Sequence, residues 1–303
     1  MKSGYAFLAI IAMALLCPVA TIAQQPCTGK LRVALLGFVG SDNNRFTRTL
    51  TEKFSANECV LLLDEAQTQP ALKAINYDGS INLSIEEARR IGAAIGCDFF
   101  IIGKTDTAER SEQAKQSHHE ALVAVMIADS RSGALAIFDF ILEKAKSNKE
   151  AQHQAAQTLA LHTASYIEKM LTFRAAQQTY TAIASGNEEE VIDLESATGA
   201  AIVPPEFLQR VKPDYTETAE RADINATVEA KVVFRANGEI GAIEVTRWAG
   251  FGLDEAAASA IRQLKFKPAR RGTEAVSIRA MVRYNFRRVT EENSKPKTTE
   301  QDN

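Results

Sequence analysis

The side chains most capable of chemistry are four histidines and four cysteines, and their spacing decides what chemistry is open to them. His118-His119-Glu120 offers three metal-ligand types in a row. A zinc site needs three or four ligands converging from separated positions, and no further ligand stands near this run. It sits in a polar stretch ahead of an apolar run and reads as a solvated turn. His153 and His162 are nine residues apart in a helical pattern, on opposite faces, and cannot share an ion. There is no G-x-S-x-G, no H-E-x-x-H and no phosphate-binding loop. The reading is therefore a protein that is not an enzyme and that carries no metal and no cofactor.

The cysteines are more informative. Cys27, Cys59 and Cys97 each precede a short apolar run: Leu31–Phe38, Val60–Leu63 and Phe99–Ile102. If those runs are parallel strands, the three thiols lie at one end of one sheet. Neighbouring strands about 4.8 Å apart suit the reach of a disulfide. Cys27 is expected to bond to Cys59 or to Cys97, strand order deciding which, and one thiol is left over.

The elements needed to hold those positions follow from the pattern. Phe46 to Ala56 reads as a helix, and a loop carrying Asp78-Gly79-Ser80 follows the second apolar run. Ser84-Ile-Glu-Glu87 is a capping box, and Ile85, Ala88, Ile91 and Ile95 continue it as one helical stripe. Asp98–Ile102 is a strand. Ala121–Ile127 and Ala134–Ile141 flank Asp129-Ser-Arg-Ser-Gly133 as an antiparallel hairpin. A helix is predicted over about 149–173. The order β-α-β-α-β-β-β-α makes residues 28–173 an α/β domain. With the motifs Arg90-Ile-Gly92 and Ile102-Gly103, it resembles the envelope domains of the curli-channel and TolB amino-terminal type.

The whole chain sets the frame for these parts. Its 303 residues are 46% apolar and 24% charged, with 16 Gly and 8 Pro, which excludes collagen-like and wholly disordered chains. A net charge of -3 argues against a nucleic-acid binder. Lys2 precedes an apolar segment from Tyr5 to Leu16, then Pro18 and the small-residue finish Thr21-Ile22-Ala23. Residues 1–23 read as a signal peptide, which places the mature protein in the periplasm or cell envelope. The rival reading is an uncleaved inner-membrane anchor over residues 5–23. Residues 174–203 are rich in small and polar types and read as a linker. Residues 289–303 read as a disordered tail.

Residues 204–288 show a third pattern. Val228, Ala230, Val232 and Phe234 alternate with Glu229, Lys231, Val233 and Arg235, and Asn237-Gly238 follows as a hairpin signal. Leu253, Ala257, Ala260, Ile261 and Leu264 form a helical stripe that Pro268 closes. Val276, Ile278, Ala280, Val282, Tyr284 and Phe286 alternate again. The result is an α+β unit of order β-β-α-β. It carries 15 Lys+Arg against 11 Asp+Glu, whereas residues 24–203 carry 17 against 23. The cluster Lys265, Lys267, Arg270 and Arg271 reads as a solvated helix end, with attraction of an acidic peptide or lipid phosphates as the alternative.

These residues resemble the TonB-family carboxy-terminal domain. The resemblance runs through Lys212-Pro-Asp-Tyr215, Asn237-Gly-Glu-Ile240, Gly252-Leu-Asp-Glu255, Lys265-Phe-Lys-Pro-Ala269 and Val282-Arg-Tyr-Asn-Phe286. The family's Tyr-Pro is Tyr215-Thr216 here, and a Gly usual before the first strand is Ala226. The resemblance implies a periplasmic module that binds an extended segment of an outer-membrane transport protein along its last strand's edge. Here that edge is Val276, Ser277, Ile278, Arg279, Ala280, Met281, Val282 and Arg283. The alternative is a structural or assembly protein whose two domains mediate oligomerisation, since an exposed edge can also pair with itself. No Pro-rich spacer of the kind an energy-transducing TonB needs is present.

Overall fold

The computed structural model describes residues 29–112, 116–183, 191–195 and 202–288. The first unit runs β1 (Leu31–Gly40), α1 (Asn43–Ser55), β2 (Val60–Leu62), α2 (Glu65–Ala74), α3 (Ile85–Ile95), β3 (Phe99–Glu112), β4 (Gln116–Asp129), β5 (Leu135–Ala145) and α4 (Asn148–Ile183). Its sheet has the order β2-β1-β3-β4-β5. β1 lies parallel to both β2 and β3, and the remaining pairs are antiparallel. Both faces of this sheet are buried at its centre, which is why Leu31–Phe38, Phe99–Ile102 and Ala121–Ile127 read as nearly continuous apolar runs. Phe99, Ile101, Val123 and Val125 face α1 and α4, against Phe46, Leu50, Phe54, Tyr166 and Met170. Phe100, Ile102, Ala124 and Met126 point the other way, toward Ala88 and Ile91 of α3.

Local signals explain the helices. Ser84 and Glu87 form the capping box that starts α3, and Gly96 in a left-handed conformation ends it. Asp64 caps α2 by accepting from the Ala66 amide. That helix was not expected between the second strand and the loop carrying Asp78-Gly79-Ser80, because its polar sequence and internal Pro70 mask the period. The β3–β4 pair extends far past its apolar centres, pairing Glu112 with Gln116. His118-His119-Glu120 is therefore strand, not a solvated turn. Helix α4 continues through 174–183, so the first part of the expected linker is helical.

The second unit contains β6 (Ile192–Asp193), β7 (Ile202–Val203), β8 (Glu206–Gln209), α5 (Glu217–Arg221), β9 (Ala226–Phe234), β10 (Ile240–Arg247), α6 (Leu253–Arg262), β11 (Lys265–Lys267), β12 (Ala269–Arg271), β13 (Glu274–Val276) and β14 (Ile278–Phe286). Its main sheet has the order β10-β9-β14-β6. Ala230, Val232, Phe234 and Ile278 cluster with Ile261 of α6 on one face. The β9–β10 turn places only Gly238 at positive φ, 86°, with the Gly238 amide donating to the Arg235 carbonyl at 3.0 Å. Asn237 keeps a negative φ, so the turn is of the kind that closes with one left-handed glycine. Lys265 and Lys267 lie in β11 and Arg270 and Arg271 in β12, so this basic cluster is strand and not a helix end. Lys267 pairs with Glu206 at 2.8 Å.

The two units share a core. Trp248, Ala249, Phe251 and Leu253, from the β10–α6 connection and the start of α6, join Phe100, Met126 and Ile91 in one buried cluster. The Phe251 ring meets Phe138 and Phe140 of β5 edge-on, with centroids 5.0 and 6.1 Å away. Gly250 lies beneath them at φ 70°, and a Cβ there would fall 2.6 Å from Met126 Cε. Trp248 Nε1 donates to the Gly133 carbonyl at 3.0 Å. Asn82 bridges the units with three bonds: its side-chain amide donates to Thr227 O and Trp248 O, and its Oδ1 accepts from the Thr227 amide. The buried Glu120 of β4 holds Arg221 of α5 at 3.2 Å, beside His118 and Lys144. Burial opposes its charge, but the bonds from His118 and Lys144 and the Arg221 charge outweigh it and keep the carboxyl below its usual range.

Candidate peptide-binding edge

The expected edge is divided by the fold. Val276 belongs to β13 and pairs with Ala269, so the strand bends between Val276 and Ile278. Ser277 is buried at that bend, its Oγ accepting from the Ala236 amide. From Ile278 to Phe286 the inner side of β14 is fully paired with β9. Ile278 is buried against the module core, and Ala280 and Val282 pack partly on it. Arg279 and Met281 are half-buried on the opposite face, and Arg283 is exposed. Arg283 reaches Glu229 of β9 at 2.6 Å. Met281 Sδ accepts from the Thr246 hydroxyl.

The outer side of β14 is the edge of its sheet, and its beginning is already occupied. The amides of Ile192 and Leu194 donate to the carbonyls of Ser277 and Arg279, each at 3.0 Å. Ile192 and Asp193 thus run parallel to Ile278 and Arg279 as a short fourth strand. Since Ser277 and Arg279 turn their backbone groups to this side, so do Met281, Arg283 and Asn285. Among the described residues no strand pairs with those three positions on that side. Arg283, Asn285 and Arg287 expose their side chains along the same stretch. Shallow polar clefts of about 330 and 380 Å³ adjoin it, bringing Asn82 of the first unit beside Thr227 and Asn285. The pairing of Ile192–Leu194 with β14 was not visible in sequence, although Ile192-Asp-Leu-Glu195 alternates aliphatic and acidic residues.

The cysteines flank β1 as two neighbours. The Leu31 amide donates to the Cys59 carbonyl at 2.7 Å, and the Asp98 amide next to Cys97 donates to the Arg32 carbonyl at 2.7 Å. Cys97 is a free, buried thiol. Burial pushes its pKa up, more than the Ser130 hydroxyl 3.3 Å away lowers it. Cys27 and residues 1–23 lie outside the described residues, as does the tail 289–303. Among the described residues no group of three His, Cys, Asp or Glu side chains is placed to hold a metal, and no helix is long and apolar enough to cross a membrane.

A search of curated proteins finds no match to this sequence. Several solved structures are similar over part of the chain. The hypothetical protein CT253 from Chlamydia trachomatis is 12% identical over 47% of this chain and 98% of its own, with a TM-score of 0.35. The LpoB C-terminal domain from Salmonella enterica is 11% identical over 38% of this chain and 83% of its own, at 0.30. The TonB C-terminal domain of Pseudomonas aeruginosa is 18% identical over 34% of this chain and 98% of its own, at 0.27. The resemblance of residues 28–173 to curli-channel and TolB domains finds no support in these comparisons. The module is another matter: at residues 211–287 the chain carries a domain that matches the family of the Gram-negative bacterial TonB protein C-terminal.

Proposed function

We propose that this chain is an exported envelope protein whose TonB-like module binds extended peptide segments of outer-membrane transport proteins by adding them as a strand to β14. The observation that carries the reading is the β14 edge itself. It already accepts a segment from outside the module in sheet register, and its backbone groups at Met281, Arg283 and Asn285 are turned the same way. Main-chain bonds along such an edge supply affinity, and alternate side chains supply selectivity. The module is held against the first unit by a shared core rather than carried on an extended spacer. A role as an accessory to transport, with the first unit fixing where the edge points, fits that arrangement better than a long-reaching transducer. We also assign the cysteine pairing to Cys27–Cys59, supported by the free state of Cys97 and by Leu31, four residues after Cys27, bonding to Cys59.

The test is titration of labelled transporter amino-terminal peptides against the chain from residue 24. Arg283→Ala and Arg283→Pro both lose the exposed bond to Glu229, but only the proline removes the edge amide. Arg283→Ala is expected to weaken binding by about 0–1 kcal/mol. Arg283→Pro, folded by circular dichroism, is expected to abolish it. Equal binding by the two variants means that the edge is not the site. Self-assembly through the same edge would show instead as a symmetric oligomer in light scattering, broken by the proline.

A further inference from the structure

We propose that residues 191–194 are a built-in competitor on the β14 edge, and that the peptide admitted in their place is aliphatic at alternate positions with carboxylates between. This rests on the strand-addition reading above. The segment uses the bonds an incoming strand would use: Ile192 and Leu194 donate to Ser277 and Arg279, the first carbonyls of the edge. Ile192 and Leu194 pack partly against the module core, while Asp193 lies between them opposite Arg279 in register. The edge therefore displays the chemistry it accepts. Its hold is short, two paired residues, because the Glu195 amide turns back to Asp193 Oδ1 and ends the strand. A longer peptide gains the backbone groups of Met281, Arg283 and Asn285, which the segment never reaches. That difference allows displacement.

Charge favours the same occupant. Residues 188–195 read Glu-Glu-Glu-Val-Ile-Asp-Leu-Glu, whereas residues 204–288 carry 15 basic against 11 acidic side chains. An acidic strand is attracted whether it is part of the chain or free, and complementary charge adds selectivity along the edge. Because the competing segment is part of the same chain, it acts at a high effective concentration.

The experiment uses the chain from residue 24 and a fluorescein-labelled peptide of its own residues 188–198, read by anisotropy. Three forms are compared: wild type, Ile192→Pro with Leu194→Pro, which lacks both donors, and Asp193→Lys, which leaves the backbone intact. The double proline form is expected to bind the probe at least tenfold more tightly than wild type, and Asp193→Lys severalfold more tightly. A probe with its acidic residues replaced by lysine is expected to bind at least tenfold more weakly. Equal affinity in all forms overturns the competitor while leaving strand addition standing. No binding to any folded form overturns strand addition and the competitor together. Equal binding of the acidic and lysine probes overturns the assigned chemistry. If the double proline form does not fold, Asp193→Lys decides, and an affinity unchanged from wild type overturns the competitor.

Discussion

Truncating Phe251 to alanine should unfold both units together. Its ring is fully buried and meets Phe138 and Phe140 of β5 edge-on, although its own backbone belongs to the second unit. Removing a buried phenylalanine costs about 3–5 kcal/mol, and the outcome within that range depends on how far the site can collapse. Collapse is restrained here. The Ala249 and Gly250 amides are pinned by the Asp254 carboxylate at 2.9 Å each, and there is no room even for a Cβ at Gly250 beside Met126 and Phe138. We therefore expect about 4 kcal/mol. With a urea dependence of about 2–3 kcal/mol per molar, the midpoint falls by about 1.5 M. Two probes distinguish the units. The single tryptophan, Trp248, sits in the joint, and far-ultraviolet circular dichroism follows the whole chain. Both transitions should shift together by the same amount. If fluorescence shifts while most of the dichroism keeps its wild-type midpoint, the first unit does not depend on the joint and the shared-core argument fails.

Two further outcomes follow from buried titratable groups. Burial pushes the Asp254 carboxyl up to about 6, although the Ala249 and Gly250 amides favour its ionised form. A raised carboxyl means that the folded state binds the proton more tightly. Its stabilising contribution is thus complete below about pH 4, the unfolded value, and is lost as pH rises through about 6. Urea midpoints from pH 4 to 7 should show this fall in the wild type and lose it in Asp254→Asn; an unchanged slope in the variant would rule the group out. For the cysteines, alkylation of the non-reduced native chain from residue 24 should label nothing, because Cys97 is buried with its thiol pushed up. The same treatment in urea should add one label, at Cys97. Three labels in urea would reject the Cys27–Cys59 bond.

The elements with a clear period were legible in the sequence. The stripes Ile85–Ala88–Ile91 and Leu253–Ala257–Ile261, the β9 alternation and the capping box at Ser84 all reflect a local contact that recurs with the geometry of its own helix or strand. What escaped was non-local. Trp248-Ala-Gly-Phe-Gly252 has no period, because its burial is decided by β5 and by Gly133, more than a hundred residues earlier. The polar halves of β3 and β4 carry few apolar residues, yet fourteen successive pairs hold them as strand. Glu120 looked like a solvated charge because its Arg221 partner lies in the other unit. The expected edge falls across β13 and β14, and its first positions could not be known to be covered, since the strand that covers them, Ile192–Asp193, is only two residues long and lies far from them in sequence.

The joint also sets an order of events. The sheet face formed by Phe100, Met126 and Phe138 exists once residue 145 has emerged, but Phe251 and Leu253, which cover it, arrive more than a hundred residues later. During that interval a nascent chain presents a broad apolar surface beside the outer margin of β5, with which no strand pairs among the described residues. Such intermediates associate readily and are the ones that holding factors protect. A chain cut short before residue 248 would remain in that state permanently. The yield of such a fragment recovered without aggregation should therefore fall steeply with expression level, while the intact chain escapes the trap as soon as its last hundred residues follow.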